Sequence, residues 1–264
     1  MGQWVSLHRF VRPVFLALVL SSACDVVRAL TGGDDPSDTP IPSEQLPPPE
    51  PHVVLLLGLG DGHTETFADR GSDLWVRTPW IDLPDVGQRA FTSLGDLDGD
   101  GDIDAVVGHS GGRVRVFFNR DEEQMPYWER ASDVEPTTDF GSAAAPALLD
   151  VDDDGDLDIL VGSRGKGLQG LENTGSISAP TWVRQEAWDQ TNLGMHTRPA
   201  VADIDGNGEL EVLVGNEAGE LLVVSPAGVP KASVDATWLP APLGTAMLAP
   251  AAADVNDDGL TDLV

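Results

Sequence analysis

The strongest constraint on this chain is a nine-residue acidic phrase that it repeats four times. Its first copy, Asp96-Leu-Asp-Gly-Asp-Gly-Asp-Ile-Asp104, places carboxylates at positions 1, 3, 5 and 9 (Asp96, Asp98, Asp100 and Asp104) and Gly101 at position 6. The phrase returns as Asp150–Asp158, Asp203–Glu211 and Asp254–Asp262, with starts 54, 53 and 51 residues apart. Carboxylates on alternate residues of a tight loop can converge as oxygen ligands on a hard cation such as Ca²⁺. Glycine at position 6 supplies the left-handed backbone that so sharp a turn requires. An EF-hand starts in the same way, but it needs a bidentate Glu at position 12 and a helix on each side. Here position 12 is Val107, Val161 or Val214, and the flanks are short and β-branched. The ninth-position acid must close the site instead.

Two further landmarks keep the same beat. Glycines end the apolar run after each loop at 108, 162 and 215, and Gly58 follows a matching run, Val53–Leu57, without a loop before it. Tryptophans recur at 75, 128, 182 and 238. Once per repeat, a tryptophan is expected as a packing anchor between neighbouring units. Within one repeat the pattern predicts four strands, at Ala143–Leu149, Asp158–Val161, Gly165–Leu171 and Thr181–Arg184. The preceding copy gives Ala90–Leu94, Asp104–Val107, Arg113–Asn119 and Pro126–Glu129. Four short strands in about 50 residues describe one propeller blade. No repeat carries the helical periodicity that a β-α solenoid would need.

The expected fold class is therefore all-β, a β-propeller of four-stranded blades. The repeat region spans 52–264, with a partial blade at 52–88, blades at 89–139, 140–195 and 196–246, and a truncated blade at 247–264. Because the last repeat stops within its second strand, the expectation is an incomplete fragment of a larger propeller, since an open strand edge invites aggregation.

Residues 1–29 have a basic start (His8, Arg9, Arg12), an apolar core from Val14 to Leu20 and small residues before Cys24. That is the layout of a secretory signal, too short for a stable membrane span. Cleavage is expected after Ala29. Alternatively, Leu20-Ser-Ser-Ala-Cys24 resembles a bacterial lipobox, in which Cys24 would be the lipidated N-terminus. The Asp-, Ser- and Pro-rich stretch 30–51 reads as an extended linker. Either reading makes the protein exported, as an extracellular, periplasmic or cell-surface chain. The single cysteine excludes an intramolecular disulfide framework. Forty-four acidic against 15 basic residues leave a net charge of −29, which repels nucleic acid and anionic membranes. Membrane association is thus expected only through the N-terminal lipid.

The acidic loops, with Phe91-Thr-Ser-Leu-Gly95 or Ala147-Leu-Leu149 before them and Val-Val-Gly or Leu-Val-Gly after, resemble FG-GAP/VCBS-type repeats. The Phe-Gly and Gly-Ala-Pro landmarks are poorly kept, which favours the bacterial-style VCBS variant. In that family each repeat is a blade of a propeller like the integrin α-subunit head, and the loop between its first two strands binds Ca²⁺. The resemblance implies side-chain ligands at Asp96, Asp98, Asp100 and Asp104, and at Asp150, Asp152, Asp154 and Asp158. The position-7 residues Asp102, Asp156, Glu209 and Leu260 would offer backbone carbonyls. The third loop brings Asp203, Asp205, Asn207 and Glu211; its amide and longer acid imply weaker binding. The fourth brings Asp254, Asn256, Asp258 and Asp262. Up to four Ca²⁺ ions are implied.

No Gly-x-Ser-x-Gly or His-Glu-x-x-His motif occurs, and the five histidines are scattered. His63 and His109 both follow a strand-ending glycine, as solvent-facing turn residues or as part of one binding face. The expected function is a calcium-stabilised binding, adhesion or scaffold module for a protein or glycan, without catalysis. Two alternatives stand beside it. One is a polysaccharide lyase or hydrolase, for which Arg164, Lys166 and Arg198 are the basic candidates; the other is a structural stalk of a larger surface protein.

Overall fold

The computed structural model describes residues 15–19, 54–59, 61–69, 75–77, 83–120, 127–204, 206, 208–224, 247–253 and 262–263. All regular structure among them is β. The first sheet holds β1 (Phe15–Val19), β2 (Val54–Gly58), β3 (Thr64–Asp69) and β4 (Trp75–Arg77). The second holds β5 (Phe91–Gly95), β6 (Asp104–Gly108), β7 (Val114–Asn119) and β8 (Trp128–Arg130). The third holds β9 (Ala145–Leu149), β10 (Asp158–Gly162), β11 (Leu168–Asn173) and β12 (Trp182–Gln190). A fourth holds β13 (Arg198–Ala202), β14 (Glu211–Gly215) and β15 (Leu221–Val224), and β16 (Ala252–Ala253) pairs with β17 (Asp262–Leu263). From β5 onward every pairing is antiparallel between sequence neighbours. These are propeller blades, as the repeat spacing predicts.

Burial explains why the second strands read as unbroken apolar runs instead of alternating ones. Each blade is covered on both faces, so both sets of side chains must be apolar. Ala105 and Val107 of β6 pack with Leu56 and Phe117 towards the first blade. Val106, between them, packs with Leu148 and Ile159 of the third blade. In β10, Ile159 and Val161 share that cluster, whereas Leu160 packs with Val212 and Val214 of β14. The tryptophan landmarks fall at the first residue of each outer strand, Trp75, Trp128 and Trp182. Trp128 and Trp182 pack onto the clusters between adjacent blades, the anchoring role expected of them.

The strand-ending glycines have a tertiary cause. A Cβ on Gly108 would fall 2.2 Å from the Ala144 carbonyl oxygen and 2.9 Å from Pro146 Cδ. For Gly162 the same distances are 2.4 Å to the Thr197 oxygen and 2.7 Å to Pro199 Cδ. Gly215 meets Leu248 and Pro250 in the same way. One backbone bond repeats at each junction, with Ala144 donating to His109, Thr197 to Ser163 and Leu248 to Asn216. Pro146 and Pro199 sit on the innermost strands β9 and β13, and Pro250 just before β16, with the free edge facing the axis, where a missing N–H costs nothing. Leu148 on the same strand donates its N–H to Ser93 Oγ of the neighbouring blade.

The innermost strands follow one another around the axis in the order β1, β5, β9, β13 and β16, and β1 also approaches β16. Phe15–Val19, the apolar core of the signal-like segment, lies here as the innermost strand of the first sheet and pairs in parallel with β2. The sequence reading began that blade at its second strand. The difference has a physical reason, because β2 would otherwise present unpaired N–H and C=O groups. Cys24, the 30–51 linker, Trp238, Asp205, Asn207 and residues 254–261 of the fourth loop lie outside the described residues.

Candidate metal-binding loops

The inner strands β5, β9 and β13 each deliver the chain to an acidic loop at one end of the blade, and β6, β10 and β14 lead away from it. The position-6 glycines are left-handed, with φ of 94° at Gly101, 97° at Gly155 and 91° at Gly208. Position 4 is left-handed too, at Gly99, Asp153 and Gly206. The sequence reading identified only position 6; Gly or Asp at position 4 was a usable second cue.

Folding draws the acids at positions 1, 3 and 9 together. Asp96, Asp98 and Asp104 each offer an oxygen within a common 4.8 Å, and so do Asp150, Asp152 and Asp158. Asp100 and Asp154 stand outside these clusters, each accepting a hydrogen bond at Oδ1 from the position-7 N–H of Asp102 or Asp156. The first acid shapes the loop, since Asp96 accepts from the N–H groups of Gly99 and Gly101. Asp150 accepts from Asp154 and Gly155, and Asp203 from Gly208.

The ninth acid does more than the sequence suggested. Asp104 and Asp158 are 0% and 1% exposed. Asp158 Oδ2 accepts from Val151 N–H at 2.8 Å, and its Oδ1 accepts from Asn173 N–H at 2.7 Å. Asp104 repeats the pattern with Leu97 and Asn119. Glu211 takes the corresponding bond from Ile204. This residue therefore ties the start of the loop to the end of the third strand, as well as reaching the cluster. Burial pushes the carboxyls of Asp104 and Asp158 up to about 7 against the pull of those N–H donors, and the neighbouring loop carboxylates push the same way.

The donor set fits a hard cation. It is all oxygen, carries three converging carboxylates in each of the first two loops and includes Asp98 Oδ1, which is buried and has no hydrogen-bond partner. The two loops differ in one respect. Arg120 bonds Asp98 Oδ2, lies 3.7 Å from Asp100 Oδ2 and stacks 4.7 Å above the Phe118 ring. It brings a covalently attached positive charge to the first loop. At the matching position after Asn173 the second loop has Thr174. Burial and the charges of Asp154, Glu172 and Asp150 push the Asp152 carboxyl up.

His63 and His109 turn out not to be equivalent. His109 opens its turn, its N–H bonding the Arg113 carbonyl, whereas His63 closes its own turn by accepting from Leu59. His63 is exposed beside Asp61 and Asp85, and His109 Nδ1 accepts from Gly111 N–H. Both therefore behave as turn residues.

Blades joined edge to axis, with an acidic loop between the first two strands of the second, third and fourth, define a β-propeller of the acidic-loop class. Residues 96–161 and 150–214 match the family model of the FG-GAP-like repeat, so this stretch of the chain carries FG-GAP-type repeats. No curated protein matches the chain. The repeats support a propeller-type binding or adhesion module.

Proposed function

We propose that this protein is an exported, non-catalytic binding module whose acidic loops take up Ca²⁺ and thereby stiffen its blades, leaving the propeller surface to engage a protein or glycan. The observation that carries the calcium reading is the convergence of Asp96, Asp98 and Asp104, and of Asp150, Asp152 and Asp158, around a buried ninth acid. Bound Ca²⁺ would supply positive charge and nothing chemical beyond it. The chain's own residues do the rest: the first and ninth carboxylates hold the loop through backbone N–H groups and keep lone pairs free for the ion. Recurrence of the same cluster in successive blades supports a structural role over a catalytic one. The export reading rests on the basic start and apolar core of residues 1–29. Cleavage after Ala29 would remove β1 and free the edge of β2, so N-terminal sequencing of the exported protein separates the two placements of that segment.

The test is thermal unfolding in chelator, followed by titration with Ca²⁺ and with Mg²⁺. A ligand that binds only the folded state stabilises by about 2.7 kcal/mol per site at a hundredfold excess over Kd. For a domain of this size that is a rise of roughly 5–10 °C per occupied site. Asp152→Ala should abolish the increment from the second loop. Arg120→Gln should enlarge the increment from the first, because the tethered charge no longer offsets Asp98. A melting temperature indifferent to Ca²⁺ would refute the calcium reading.

A further inference from the structure

The axial passage carries groups that the calcium loops do not use. It is lined by the inner strands, with Pro146, Pro199 and Pro250 at equivalent positions. In the first of these repeats the position is Thr92, not proline. Thr92 is buried, and its hydroxyl has no hydrogen-bond partner. At the mouth away from the acidic loops the passage is also lined by Arg198.

Arg198 is 4% exposed. Its guanidinium bonds the backbone oxygens of Thr197 and Ala143, touches Met247 Sδ and lies 4.0 Å above the Phe91 ring. No described carboxylate pairs with it, and the neighbouring charge that it feels is another cation, Arg89. In a chain with 44 acidic residues this is a local reversal of charge. Buried cations are ordinarily paired, because desolvation is costly without an opposite charge. Arg89 itself is exposed on the rim, in a left-handed conformation (φ 59°) that recurs at the matching residues Ala143 and His196. Strained backbone at the same place in three repeats marks the mouth as a built feature.

We propose that the mouth of the axial passage binds a compact oxyanion, a free sulfate or the acidic group of a sugar, held by the Arg198 guanidinium and the Thr92 hydroxyl, with Arg89 attracting it at the rim. A guanidinium and a hydroxyl are the donors such a group needs. The proline-lined wall offers few competing donors. This inference rests on the binding-module reading above and names the chemistry of one ligand.

The test is calorimetric titration of the full chain with sodium sulfate, sodium glucuronate and glucose, at an ionic strength held constant with sodium chloride. Sulfate should bind saturably and glucose should not. Thr92→Val keeps the side chain's shape and should weaken sulfate about tenfold, the scale of one lost charge-assisted hydrogen bond, as should Arg89→Gln. Saturable binding of glucuronate as well extends the site to sugar-borne acids; sulfate alone confines it to the free ion. Absence of saturation in the wild type, or Thr92→Val binding as tightly as wild type, overturns the proposal. Melting in chelator and in Ca²⁺ on the same samples tells its failure apart from failure of the calcium reading.

Discussion

Asp158→Ala is expected to lower the melting temperature even in chelator, and Asp152→Ala is not. Both residues belong to the second acidic cluster, so a purely metal-ligating role would make the two variants equivalent. Their settings differ. Asp158 is buried and accepts the N–H groups of Val151 and Asn173, one on each oxygen, and truncation orphans both. Each buried N–H left without a partner costs about 1–3 kcal/mol. Removing a carboxylate that burial disfavours returns part of this, which leaves a net loss of about 2–4 kcal/mol. At this chain length that is roughly 5–15 °C. Asp152 is exposed, and its removal should cost only the calcium increment. If both variants melt like wild type in chelator, the ninth acid is a ligand and nothing more.

Gly162→Ala should force the third blade away from the next one. Its Cβ would stand 2.4 Å from a backbone oxygen of the next blade, where no flexible side chain can yield. The blades must part, and overpacking of this kind costs about 1–3 kcal/mol, or roughly 3–10 °C here. Gly165→Ala is the matched control. Three residues along the same turn, Gly165 has nothing within 4 Å of its would-be Cβ, and its change should be neutral or slightly stabilising. Equal melting temperatures for the two variants would mean that the blades are not packed through these glycines.

The acidic phrase, the position-6 glycines and the strand-sized apolar runs were legible because each depends on neighbours within a few residues. A turn needs its left-handed residue locally, and a strand shows its composition locally. Strand limits agree with expectation for the inner pairs, where Asp104–Val107 is extended by one residue to Gly108; in the third blade the strand expected from Gly165 starts at Leu168, and the one expected at Thr181–Arg184 continues through an irregularity in pairing to Gln190. Position 4 of the loops was overlooked, although Gly99, Asp153 and Gly206 carried the cue.

What only the tertiary structure decided joins residues far apart in sequence. Gly162 is glycine because Thr197 and Pro199 of the next blade pass against it, and nothing beside Gly162 reveals that. Asp158 anchors Asn173 because strand pairing brings the end of β11 back to the loop. Arg198, one of three basic candidates in the sequence, is buried over Phe91, a contact between blades whose strands are separated by another complete repeat. The repeat by itself determined the blade and its acidic loop, since those are properties of one unit. The axis belongs to no single unit. Its unpaired hydroxyl and unneutralised guanidinium came into view only when the inner strands were set side by side, because burial and charge pairing depend on which units meet.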